Sequence, residues 1–165
     1  MKYITRIANI EDISYITQIY NEGIEDKTAT LETKLKTFDE MKDWFLCKTH
    51  RHKVMVIENE ENQIVGWASL NMFNFKDCYQ GVADISIYIK RSARENGTGK
   101  ILLNYLIKIA KEQGFYKIVL NMVSFNLAAK KLYQSFGFRE VGTYINQGIL
   151  NGKWTDMTIM EKLLI

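Results

Sequence analysis

The sequence predicts an α+β (mixed α/β) fold in a single domain over residues 1–165, with a central mixed, mostly antiparallel sheet flanked by helices. Three observations predict it. A length of 165 residues suits one domain, and 47% hydrophobic residues suit a packed core. Hydrophobic spacing switches between strand and helix periods in the order βαα-βββ-αβ-αββ, so one strand–helix–strand crossover sits among antiparallel neighbours. No internal repeat, linker or low-complexity stretch interrupts that order.

Tyr3 to Ile7 reads as a first strand. Asn9, followed by Glu11 and Asp12, caps a helix beginning near Ile10, whose stripe is Ile13, Ile16, Ile19, Tyr20 and Ile24; Gly23 is where it is expected to fray. Glu25 to Lys36 has no clear period and reads as an extended loop. Thr37 and Glu40 form a capping box for a second helix with Phe38, Met41, Trp44 and Phe45 on its buried face. Lys53 to Glu58 and Ile64 to Asn71 flank a polar turn as a hairpin, and Met72 to Gly81 is a loop carrying Phe73, Phe75 and Tyr79. Ile85, Ile87 and Ile89 alternate with Ser86 and Tyr88 in a central strand. Lys100 to Gln113 is a long helix burying Leu102, Leu103, Leu106, Ile109 and Ala110, ended by Gly114. Tyr116 to Val123 is a strand, Asn126 caps a short helix with Tyr133 on its apolar side, and Gly137 stops it before the strand Phe138 to Asn146. Asn151-Gly152 turns the chain into the last strand, Lys153 to Lys162.

Composition removes several classes of function. The net charge of +3 comes from 22 basic and 19 acidic residues that are spread along the chain, with no basic tail or block for nucleic acid. Cys47 and Cys78 form no Cys-x-x-Cys pair, and His50 and His52 lack nearby ligands for a structural zinc, so no metal is expected. The N-terminal residues are charged where a signal peptide is apolar, and no run approaches the roughly 18 to 20 apolar residues of a membrane span. The expectation is a cytoplasmic protein without membrane or nucleic-acid partners, its thiols reduced.

The chemistry is expected in the stretch Asp84 to Lys100, D-I-S-I-Y-I-K-R-S-A-R-E-N-G-T-G-K. Gly97 and Gly99 allow positive φ and close approach of a ligand, and the free N–H groups of the following helix favour an anion, above all a phosphate. A P-loop fails, because Arg94 stands five residues before Gly99 and Ile101 follows Lys100. A dinucleotide fingerprint fails, because Leu102 stands where a third glycine is required.

The spacing Arg94-x-x-Gly97-x-Gly99 resembles the pyrophosphate loop of the GCN5-related N-acetyltransferases (GNAT). The resemblance extends over essentially the whole chain: the strand I-S-I-Y-I, Asn126 after the next strand, and Tyr133 followed by F-G-F at Phe136 to Phe138 fall in that family's order. I-Y-N-E-G-I near Tyr20, T-A-T-L-E-T at Thr28 to Thr33, D-x-S-x-Y at Asp84 and G-K-W-T-D-M at Gly152 to Met157 are similar to the phosphinothricin and methionine sulfoximine acetyltransferase branch. The resemblance implies the GNAT fold, acetyl-CoA as cofactor, a small amino-acid-like amine as substrate, and a homodimer.

It also implies roles. Ile87, Tyr88 and Ile89 would offer main-chain groups to the pantetheine arm, and Glu95, Asn96, Gly97, Thr98, Gly99 and Lys100 would hold the pyrophosphate by their amides. Arg94 and Lys100 would add positive potential, and Asn126 would bind the cofactor or simply cap its helix. An ammonium must lose a proton before it can attack, and the departing thiolate must gain one. Asp84 is the candidate base, directly or through water, where the branch carries glutamate. Tyr133 is the candidate acid, where the branch often carries histidine. Thr30, Phe73, Lys76 and Tyr79 are candidate substrate contacts; Asn74 and Lys76 stand where arginines are usual, which weakens a bidentate carboxylate clamp. No cysteine lies in the motif, so direct attack on the thioester is expected. Acetylation of a polyamine or a protein N-terminus, and a non-catalytic acyl-CoA-binding module, remain the other readings.

Overall fold

In the computed structural model, which describes residues 2–165, seven strands form one sheet in the order β1-β2-β3-β4-β5-β7-β6. The strands are β1 (Ile4–Ile7), β2 (Val54–Glu58), β3 (Ile64–Met72), β4 (Val82–Ile89), β5 (Lys117–Val123), β6 (Arg139–Leu150) and β7 (Lys153–Leu163). The helices are α1 (Ile13–Asp26), α2 (Phe38–Leu46), α3 (Thr98–Glu112) and α4 (Leu127–Ser135). All neighbouring strands are antiparallel except β4 and β5, which the α3 crossover makes parallel.

Alternation along the strands divides the core between two faces. Met55, Ile57, Ala68, Leu70 and Ile85 pack with Leu102, Leu103 and Leu106 of α3, and Tyr133 of α4 joins this cluster. Val54, Val56 and Trp67 instead meet Ile13, Ile16 and Ile19 of α1 and Met41 of α2. Side chains at 85, 87 and 89 thus face the α3 layer, and Tyr88 faces α1.

Local signals set the helix ends as expected. Thr37 closes a capping box on α2, Asn9 closes one on a 3-10 turn over Ile10–Asp12 that leads into α1 rather than on α1 itself, Asn126 Oδ1 accepts from the Ala129 N–H, and Gly114 and Gly137 take left-handed φ after α3 and α4. Four expectations need correction. Gly23 does not fray α1, which runs on to Asp26. Gly23 is buried, and a Cβ there would stand 2.8 Å from the Tyr88 ring, so the glycine lets α1 close on β4. Phe38 is exposed at the first position of α2, where Met41 is the buried residue instead. Helix α3 begins at Thr98, as Gly97 supplies the left-handed N-cap, and β6 extends to Leu150 because β7 pairs with it as far as the turn.

Candidate active site

The parallel strands β4 and β5 pair only at Val82–Lys117, Ala83–Ile118 and Asp84–Val119. Beyond Asp84 they part: β5 stays on its ladder with β7 and β4 stays on β3. The Lys90 N–H donates to the Val65 carbonyl at 2.8 Å, and antiparallel bonding alternates along the unbroken β3–β4 register. Ser86 and Tyr88 therefore turn their main-chain groups toward β3, while Ile87 and Ile89 turn theirs into the gap. The Ile89 carbonyl already accepts from Arg94 Nε at 3.1 Å, which leaves the Ile87 N–H and C=O and the Ile89 N–H open. Tyr88 has its ring on the α1 side of the strand, stacked on Trp67.

The gap widens into a cleft of about 590 Å³ that reaches from Asp84 to the turn before α3 and to α4. In the turn, Glu95 and Gly97 adopt φ of 65° and 76°, curling successive amides toward one point at the α3 N-terminus. Arg94, Glu95, Gly97, Gly99 and Lys100 line the cleft; Asn96 and Thr98 do not. Thr98 is buried and donates through Oγ1 to the Ala93 carbonyl at 3.1 Å, closing the turn from beneath.

Arg94, expected to add positive potential, lines the cleft and is also held in an ion pair. Its Nη1 lies 2.5 Å from Asp26 Oδ2, and Arg91 binds the other oxygen of Asp26 at 2.7 Å. Burial pushes the Asp26 carboxyl up, but hydrogen bonds from Arg91 and Arg94 more than offset it and hold it below the ordinary range. Arg94 thereby ties α1 to the turn, and it and Lys100 are the cations among the described residues that line the cleft.

Asp84 stands where the two strands part. Asn71 Nδ2 donates to its Oδ2 at 3.3 Å and to Ser86 Oγ at 3.1 Å. Asn71 Oδ1 in turn accepts from Ser69 Oγ at 2.9 Å and from Lys48 Nζ at 2.8 Å. Burial raises the Asp84 carboxyl to about 6, against the opposing pull of Asn71, the Ile85 N–H and Lys48. Burial likewise lowers Lys48 to about 8. A carboxyl that titrates near 6 is mostly ionised at neutral pH yet still takes a proton readily.

Asp84, Ser86 and Tyr88 also line a second cleft of about 430 Å³, on the α1–α2 side of β4. Its remaining walls are Tyr20, Trp44 and Trp67 with Met41, and Lys36, Glu40 and Asn71. Trp67 stacks on Tyr88 with ring centroids 5.1 Å apart, and Tyr20 and Trp44 meet Trp67 edge-on at 5.7 and 5.5 Å. Of the candidate substrate contacts, Thr30 lines the first cleft, whereas Phe73, Lys76 and Tyr79 line neither. Phe73 and Tyr79 face each other at 5.3 Å on the outer loop. The sequence reading missed Lys36, Trp67 and Asn71, and assigned Tyr20 and Trp44 only to core stripes.

Tyr133 lines the first cleft together with Asp84. Burial, reinforced by the Asp84 charge, pushes its hydroxyl well above the ordinary tyrosine range, so it stays protonated. Asn126 lines the same cleft, caps α4, and donates through Nδ2 to the Thr28 carbonyl at 3.1 Å.

Residues 5–159 match the family model described as an acetyltransferase (GNAT) domain. The chain is 27% identical over 157 residues to an L-methionine sulfoximine/L-methionine sulfone acetyltransferase of Pseudomonas aeruginosa, covering 94% of this chain and 91% of that one. Among solved structures, an N-acetyltransferase from Staphylococcus aureus Mu50 superposes with a TM-score of 0.94 at 33% identity, over 100% of both chains. A GNAT superfamily phosphinothricin acetyltransferase from Sinorhizobium meliloti, in complex with acetyl-CoA, superposes with a TM-score of 0.94 at 27% identity, over 99% of this chain and 89% of that one.

Because the folded-state Asp84 is raised from 3.8 to about 6, its ionisation opposes folding, with no effect below pH 4 and the full cost above pH 6. Asp84→Asn removes the charge. Urea denaturation is expected to show the variant more stable than the wild type by about 3 kcal/mol at pH 7.5, with the difference vanishing near pH 4.

Proposed function

The chain belongs to the GNAT acetyltransferase family, and on that premise we propose that it acetylates the primary amine of a small amino-acid-like molecule, of the phosphinothricin or methionine sulfoximine type, by direct attack on the thioester. As a GNAT N-acetyltransferase it uses acetyl-CoA. The observation that carries the finer reading is the position of Asp84 on the one strand that borders both clefts.

The first cleft suits the cofactor. The open Ile87 N–H and C=O and the Ile89 N–H match an amide-bearing pantetheine arm laid along β4 as an added strand. The curled amides from Glu95 to Gly99 and the Lys100 ammonium suit a pyrophosphate, and Asn126 sits on the opposite bank. Acetyl-CoA, when bound, supplies the activated acyl group that the amine takes. Asp84 receives the ammonium proton, with Asn71 orienting its carboxylate and Ser86 beside it to hold a relaying water. Tyr133, kept protonated by burial, gives its hydroxyl proton to the departing thiolate. The second cleft receives the acceptor, and its aromatic walls exclude water from the attacking amine.

Edge strand β6 leaves Tyr144, Ile145 and Ile149 exposed, with Trp154 of β7 nearby on the same hairpin, and we assign this apolar row to a homodimer contact. Among the described residues no helix is long and apolar enough to cross a membrane.

Thiol release from acetyl-CoA is measured across methionine sulfoximine, methionine sulfone, phosphinothricin, the common amino acids, polyamines and N-terminal peptides. Turnover with the amino-acid group is expected; cofactor binding without turnover on any amine would refute the proposal. For the wild type, kcat/KM should fall as pH drops through about 6. Asp84→Ala is expected to lose about 100-fold or more near pH 6.5, a deficit that narrows as pH approaches the amine's own pKa of roughly 8 to 10. Tyr133→Phe should lower kcat by a similar factor while leaving acetyl-CoA affinity, read by calorimetry, within about twofold. Light scattering should give twice the 19.3 kDa chain mass; a monomer would remove the dimer assignment.

A further inference from the structure

The second cleft has an asymmetric charge pattern. Asp84 lies at its junction with the first cleft, Glu40 stands on α2, and Lys36 is the one cationic side chain among the described residues that line it. Lys48, a half-buried cation, donates to the Leu70 carbonyl and to Asn71 Oδ1, both at 2.8 Å, and does not line the cleft. Lys76, on the outer loop, does not line it either.

Lys36 is held in place by its main chain. Its N–H donates to Asn21 Oδ1 at 2.8 Å and its carbonyl accepts from Asn21 Nδ2 at 2.9 Å, a reciprocal pair that fixes the residue to α1. The next residue, Thr37, opens the capping box of α2, so the backbone is fixed on both sides. The side chain is left free to choose its partner. Its Nζ lies 3.1 Å from Glu32 Oε2, and that carboxylate is 43% exposed, so the ion pair is of the weak, exchangeable kind. The hydrogen bond to Glu32 also raises the Lys36 pKa, so the ammonium persists throughout the neutral range.

We propose that Lys36 recognises the carboxylate of the acceptor, so that the enzyme selects amines that carry a free acid group close to the amine. This rests on the reading of the second cleft as the acceptor site. A zwitterion placed there turns its ammonium to Asp84 and its carboxylate to Lys36, exchanging the exposed Glu32 for a less hydrated partner between aromatic walls. The rest of the molecule then meets Tyr20, Trp44, Trp67 and Met41, surfaces suited to an uncharged, polarisable side chain. A polycation finds Lys36 in its way.

The test compares the best amino acid from the acceptor panel with its own carboxamide, which keeps the amine and side chain and removes the negative charge. The wild type is expected to favour the free acid by about tenfold or more in kcat/KM, seen mainly in KM. In Lys36→Met, whose main-chain pair with Asn21 is untouched, that preference should fall to within about threefold, the loss in kcat/KM falling mainly on the free acid rather than on the carboxamide. Lys36→Arg should restore most of the preference. Equal use of acid and amide by the wild type, an undiminished preference in Lys36→Met, or turnover confined to amines without a carboxylate would each overturn the assignment while leaving the acetyltransferase reading intact. Absence of turnover with every amine would instead remove the acceptor-site reading on which it stands.

Discussion

The parting of β4 and β5 after three ladder pairs is the constraint on which the rest of the molecule depends. A closed parallel ladder would satisfy its main-chain groups internally and present a flat face. An open one leaves donors and acceptors at Ile87 and Ile89 that must find partners, and a ligand with amides of its own is such a partner. Each strand can leave the other only because it is held on its far side, β4 by seven residues of β3 and β5 by seven residues of β7. The sheet is continuous in topology yet divided in its middle.

Charge maintains that opening. Asp26 binds Arg91 and Arg94 together, fastening the C-terminal end of α1 to the turn that precedes α3. The Glu22 carboxylate accepts the Arg91 N–H at 2.6 Å and strengthens the same joint. At the apex the arrangement is reversed: Asp84 has no arginine, and the Asn71 amide, the Ile85 N–H and a more distant Lys48 do not offset its burial, so its carboxyl is pushed upward while Asp26 is held down. Two buried or half-buried aspartates thus diverge in chemistry, and the difference lies in what faces them.

What the sequence made legible was local. Capping boxes at Asn9 and Thr37, the Asn126 cap, the left-handed glycines and the period-two strand at Ile85 all act within a few residues, and the structure keeps them. The element order, and with it the fold, followed from that spacing and from the resemblance. What stayed hidden depends on pairing across the chain. Asp26 lies 68 residues from Arg94, and Asn71 reaches Asp84 only because β3 and β4 pair in that register. Gly23 looks like a helix break until the Tyr88 ring is set against it. Lys36 looked like the end of a featureless loop, because its pairing with Asn21 is side chain to main chain and leaves no periodic trace.

The segment from Asp26 to Leu31 carries one more implication, for how the molecule assembles. It has no ladder of its own, yet Asp26 binds the turn before α3, Lys27 Nζ reaches Asn151, the Thr28 carbonyl takes the Asn126 amide, and the Leu31 side chain fits over Gly148. The Lys27 and Thr28 partners lie 124 and 98 residues away. Such contacts contribute only after long loops have closed, so this wall of the cleft orders last during folding and opens first in amide exchange, while the α3-packed half of the sheet remains protected.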